Sequence, residues 1–123
     1  LMKGWCEFVN EVARIEFLRD AKEDAIKDWG EDIPTTVLFS QFGKTIVKKF
    51  YDFSLEDRAR VFRIIEDGMI SEDAELVAFV ATGLLEALVA GISKDPALEG
   101  RVNLLLGDSS KNYLRGLADW YQK

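Results

Sequence analysis

The sequence predicts an all-α protein, a single compact bundle of six or seven short helices in one domain over residues 1–123. Three observations carry that expectation. Apolar residues recur at spacings of three and four along almost the whole chain, the period of one helix face. Capping residues precede several of these stretches and glycines follow them. The β-branched residues are scattered, and no two-residue alternation survives beyond four positions.

The first helix is drawn by Trp5, Phe8, Val9, Val12, Ile15 and Phe17, with Glu7, Glu11 and Arg14 opposite. A second, short helix covers Ala21 to Trp29 and is stopped by Gly30. Asp32-Ile33-Pro34-Thr35-Thr36 signals the next start, because proline is tolerated in a first turn and threonine can cap. Val37, Leu38, Phe42, Ile46 and Phe50 continue that helix. Ser54-Leu55-Glu56-Asp57 is a capped start whose acids complement the helix dipole, and Val61, Phe62, Ile65 and Met69 carry it to about residue 70. Residues 71–75 open the most apolar helix, running through Leu76, Val80, Leu84 and Leu88 to Gly91. Apolar on nearly every side, it belongs at the centre of the bundle. Pro96 opens a brief helix or turn through Leu106. Gly107-Asp108-Ser109-Ser110 resets the chain, and Tyr113, Leu114, Leu117, Trp120 and Tyr121 make a last amphipathic helix. Gly43, Gly83 and Gly116 sit inside these patterns at a cost of about 1 kcal/mol each relative to alanine. Close approach of another helix accounts for them better than phosphate binding, since no G-x-G-x-x-G or P-loop spacing is present.

A chain of 123 residues with 48% apolar composition buries roughly two thirds of its unfolded surface, and its aliphatic content excludes disorder. No linker, composition shift or internal repeat divides it. The longest apolar run, Leu76 to Ile92, contains Thr82 and Glu86 and reads as a core helix rather than a membrane span. The N-terminus lacks a basic segment followed by an apolar run, so no secretory signal is expected, and Leu1 ahead of Met2 reads as an altered start. The single Cys6 excludes an internal disulfide and favours a reducing, cytoplasmic setting, with the thiol itself a small buried hydrophobe.

The charge is concentrated. Residues 20–32 hold six acids and two lysines, and residues 66–75 hold five acids and no base. With these removed from the overall −6, the other hundred residues are net +3. Patches of one sign steer a partner of the opposite sign and repel wrong ones. Solvated helix faces and dipole complements explain Glu72, Asp73 and Glu75 in part, but not the crowding of half the acids into 23 residues. The expected contact surface is therefore Asp20, Glu23, Asp24, Asp28, Trp29, Glu31 and Asp32, with Glu66, Asp67, Glu72, Asp73 and Glu75 as a second patch. Both lie at turns flanking long helices, which is compatible with one end of the bundle. Core packing is the favoured place for Trp29, and still more for Trp120 and Tyr121. An exposed Trp29 among carboxylates would instead be a hot spot for a basic protein. A pI near 4.7 argues against nucleic acid as a direct ligand.

Little in the chain is suited to catalysis. There is no histidine to activate any of its serines and no G-x-S-x-G context. Glu66-Asp67-Gly68 superficially looks like a calcium loop. Aligning Gly68 with the loop glycine, however, places Arg63 at the first ligand position and Ala74 at the twelfth. No zinc or di-iron ligand set is present, so no enzyme activity and no cofactor are expected.

Three segments taken together carry a resemblance: Ile33-Pro34-Thr35-Thr36-Val37-Leu38-Phe39-Ser40-Gln41-Phe42, Val80-Ala81-Thr82-Gly83-Leu84-Leu85-Glu86-Ala87-Leu88, and Leu104-Leu105-Leu106-Gly107-Asp108-Ser109-Ser110-Lys111. The arrangement, from about residue 6 to residue 121, resembles a family of small, acidic, all-helical bacterial immunity proteins. These protect cells from polymorphic, contact-dependent growth-inhibition toxins. The resemblance implies a helical fold, no catalytic residue, and stoichiometric binding of a cognate toxin, many of which are nucleases with basic active sites. Two other readings stay open: an acidic adaptor or regulatory module docking a basic host protein, and a helical hydrolase or metal-dependent enzyme using clustered carboxylates.

Overall fold

The structure, a computed structural model, describes Met2 and residues 4–121; Leu1, on which the reading of the start rests, lies outside them. Among the described residues the chain is all-helical, with seven helices and no strand: α1 (Trp5–Val12), α2 (Glu16–Trp29), α3 (Thr35–Lys49), α4 (Leu55–Met69), α5 (Ala74–Ile92), α6 (Pro96–Leu105) and α7 (Asp108–Tyr121). Two starts and stops differ from expectation. The first apolar stripe breaks at Ala13–Ile15, so Phe17 belongs to α2, which begins five residues before Ala21. Pro34 occupies the cap position of α3 itself, and neither threonine caps it through its side chain. The expected cap at Ser54 is present, its Oγ accepting from the Asp57 N–H at 3.1 Å. Asp73 Oδ1 accepts from the Glu75 and Leu76 N–H groups at the start of α5, and Asp95 Oδ1 from Leu98 N–H at the start of α6.

Helices α3 and α5 pack side by side in parallel, and glycine makes that approach feasible. A methyl group on Gly43 would run into the Leu84 carbonyl oxygen and stand 3.0 Å from the Ala87 Cβ. One on Gly83 would stand 2.8 Å from the Phe39 Cβ and 3.1 Å from the Thr36 oxygen, and Gly91 faces Val47 in the same way. Residue numbers rise together along both helices, so they point in one direction. The intervening α4, tied by two short connections, must run back between their ends. Gly68 near its end accordingly meets Phe8 and Val80. Gly116, in contrast, has open space around it, so the expected close approach is absent there.

Phe39 is the hub of the core. Its ring lies 5.0 Å from that of Phe8 on α1, 5.9 Å from Phe42 and 5.6 Å from Phe79 on α5. Edge and stacked contacts of this kind add about 0.5–1.5 kcal/mol beyond area burial. The middle of α5, Phe79–Leu85, is a π-helix, in which Val80, Ala81, Gly83, Leu84 and Leu85 are all buried. The Thr82 hydroxyl donates to the Ala78 oxygen at 2.7 Å where the wider ladder begins. Among the described residues α5 is the one helix long and apolar enough to cross a membrane by length and composition. Here it is the central element of the bundle. At the opposite end, Arg58 Nε donates to the Phe50 oxygen at 2.8 Å while its guanidinium covers the Phe50 ring at 4.6 Å, fixing the α3–α4 turn.

The glycine contacts generate paired expectations. Gly43→Ala should destabilise by about 1–3 kcal/mol in urea unfolding, because a backbone carbonyl cannot give way, despite alanine's better helix propensity. Gly116→Ala, in open space on a helix, should stabilise by about 0.5–1 kcal/mol. Equal and favourable effects at both positions would contradict the close α3–α5 contact.

Candidate functional site

The parallel packing of α3 and α5 decides where the acids go. The α2–α3 connection precedes α3 and the α4–α5 connection precedes α5, so both lie at the same end of the bundle. Those connections and the helix ends beside them contain the two acidic stretches. The start of α1 lies between them. Ser71 Oγ donates to the Met2 oxygen at 2.8 Å, and a Cβ built on Gly4 would stand 3.7 Å from Asp73 Oδ2. On the other side, Trp5 and Cys6 share a groove with Glu31 and Ile33.

Within the first stretch, Asp24, Asp28 and Trp29 line one shallow groove between α2 and α3, together with Gln41 and Thr45. Glu31 lies across the helix from them, on the α1 side. Asp20 and Glu23 are exposed one to two turns back along α2, and Asp32 is exposed in the loop. Trp29 is 57% exposed rather than in the core, because α2 ends at Gly30 before another element can cover the ring. Gly30 adopts a φ of 85°, a region open to glycine, and turns the chain there.

The second stretch divides by task. Glu72 and Glu75 are exposed, and Ile70 beside them is 49% exposed. Asp67 faces a polar groove shared with Glu7, Glu11, Arg60 and Arg63. Asp73 is held as the α5 cap. Glu66 points inward and caps α7. Its Oε2 accepts from the Ser109 N–H at 2.8 Å, and its Oε1 accepts from the Ser110 N–H at 3.1 Å and the Ser110 hydroxyl at 2.8 Å. Gly107 leaves the room, since any Cβ there would collide with the Glu66 side chain. Among the described residues, none of the eleven acids in the two stretches stands in an ion pair. No cation among them neutralises these acids, and two of the acids, Glu66 and Asp73, are committed to helix caps.

Several other sites differ from expectation. Cys6 is exposed, because it lies one position off the buried Phe8–Val9–Val12 stripe of α1. Trp120 and Tyr121 are 65% and 69% exposed, their rings in edge contact at 5.0 Å, because the end of α7 runs past the elements that cover its first turns. The Tyr113–Glu86 contact was not foreseen from the sequence. The phenol donates to Glu86 Oε2 at 2.6 Å, and burial together with that carboxylate pushes its pKa up to about 12. Glu86 lies on α5, 27 residues from Tyr113, so no local signal pairs them. Among the described residues no group of three His, Cys, Asp or Glu is placed to hold a metal ion.

Comparison with protein-family models, curated proteins and solved structures finds no match. The likeness to immunity proteins thus rests on the three quoted segments alone.

The Glu66 cap has a pH signature. Burial pushes its carboxyl up, but the hydrogen bonds from Ser109 and Ser110 outweigh this and hold its pKa below the ordinary 4.5. A depressed carboxylate stabilises the fold fully above the unfolded value and loses that contribution as pH falls through the lower folded value. Glu66→Gln should therefore cost about 1 kcal/mol in urea unfolding at pH 7, because an amide NH₂ faces N–H donors. The gap between wild type and variant should narrow below about pH 4.5. A gap constant from pH 7 to pH 3 would exclude the charged cap.

Proposed function

We propose that this protein is an immunity-type inhibitor that binds a bacterial toxin domain with a basic surface and neutralises it one to one in the cytoplasm. The observation that supports this reading is the gathering of both acidic stretches at one end of the bundle, beside an exposed tryptophan. Nuclease-type toxins hold phosphates in basic sites, and carboxylates placed where phosphates would sit block such a site with no chemistry by the inhibitor. Encounter is electrostatically steered, fast and salt-sensitive. Burial of Trp29 in the partner then slows dissociation, as large aromatic anchors do. Protection against a lethal enzyme calls for nanomolar affinity or better, about −12 kcal/mol. An adaptor docking a basic host protein would use the same surface; a toxin domain encoded immediately upstream distinguishes the two.

Asp24, Asp28 and Glu31 carry the cleanest test, since none supports the fold through a cap or ion pair. Reversing all three to lysine should slow association with the cognate toxin domain at least about ten-fold at low salt and flatten its salt dependence. Thermal stability should change little, and protection of toxin-expressing cells should fall with the rate. Trp29→Ala should chiefly raise the dissociation rate, costing about 2 kcal/mol or more of binding. Wild-type association and protection in the triple variant would remove this end from the mechanism.

A further inference from the structure

Beside the acidic end, α1, α2 and α3 leave a groove of about 350 Å³ that the packing of the bundle does not fill. Its floor is apolar and rigid, made by the buried Val9 and Leu38. Its walls are Trp5, Ile26 and Ile33, each only partly covered. The size lies at the lower limit of ligand cavities and suits one large side chain. Two charged residues of opposite sign line the groove, Lys22 on α2 and Glu31 just after the end of α2. Glu31 is followed by Asp32, and both are exposed, so the Glu31 end of the groove opens onto the first acidic stretch.

We propose that this groove receives a leucine or aromatic side chain from a cationic segment of the partner, while lysines or arginines flanking that side chain meet Glu31 and the neighbouring acids. This rests on the acidic-capture reading and adds the partner's own anchor to it. Charge complementarity selects the occupant. A segment that is apolar alone gains nothing from the acidic rim, and one that is cationic alone leaves the Val9–Leu38 floor wet. Two anchors then point in opposite senses, Trp29 outward into the partner and the partner's side chain inward between α1, α2 and α3. Lys22 acts against cationic segments and sets which way along the groove they lie.

The test uses the full chain and two synthetic twelve-residue peptides of equal positive charge, one with lysines and leucines and one with serines replacing the leucines. The leucine peptide should bind at least ten-fold tighter at 50 mM salt. Only that peptide should shift the amide resonances of Val9, Ile26, Ile33 and Leu38. Alkylating Cys6, exposed on the groove wall, with N-ethylmaleimide should abolish the ten-fold preference while leaving serine-peptide binding unchanged. Cys6→Trp should do the same, with resonance dispersion reporting that the fold is kept. Lys22→Gln should tighten the leucine peptide several-fold. Equal affinities for the two peptides, or a preference that survives filling at Cys6, would overturn the groove proposal and leave acidic capture standing. Failure of both peptides to bind would overturn the groove proposal together with the capture on which it rests.

Discussion

Everything about the placement of charge in this molecule depends on one contact: two helices meeting in parallel where neither has a side chain in the way. Parallel neighbours cannot be joined by a short loop, so the chain must travel back along the bundle between them, and α4 is that return. The connection leading into α3 and the connection leading into α5 are then forced to the same pole. Had α3 and α5 packed antiparallel, the acidic segments would sit at opposite poles, some four turns of helix apart. A packing preference of Gly43, Gly83 and Gly91 thus determines an electrostatic property of the surface.

The concentration of carboxylates at one pole would ordinarily oppose folding through mutual repulsion. Part of this is offset because α1, α3 and α5 begin there with the positive ends of their dipoles, while α2 and α4 end there with their negative ends. Asp73 makes the compensation explicit as a cap, and Glu66 does the same for α7 from one turn inside α4.

The helical class, the central place of α5 and the cap at Ser54 were legible in the sequence because each rests on local signals: period, capping chemistry and composition. Gly43 and Gly83 were legible for the same reason, since a helix carries glycine at a cost only for some return. What could not be read is what happens where elements end. Trp29, Trp120 and Tyr121 lie on apolar stripes, and whether a stripe is covered depends on the length of the neighbouring helices, not on the stripe. Cys6 illustrates the same limit, one residue off a buried face. Glu66 looked like a surface acid because the serines that it caps are more than forty residues away. The break at Ala13–Ile15 escaped because the apolar period continues through it.

The π segment of α5 has an implication for how this chain tolerates change in length. Over Phe79–Leu85 the helix holds a residue more than an α ladder would need, and both flanking stretches keep their faces on the core. The surplus works as a phase adjuster. It turns the first half of the helix, which meets α4, relative to the second half, which packs on α3 and α6. A deletion of one residue elsewhere in α5 would rotate everything after it by about a quarter turn or more. Within the π segment the same deletion would be absorbed by reversion to an ordinary ladder. The most buried stretch of the chain is thus also the one place in its central helix where length is negotiable.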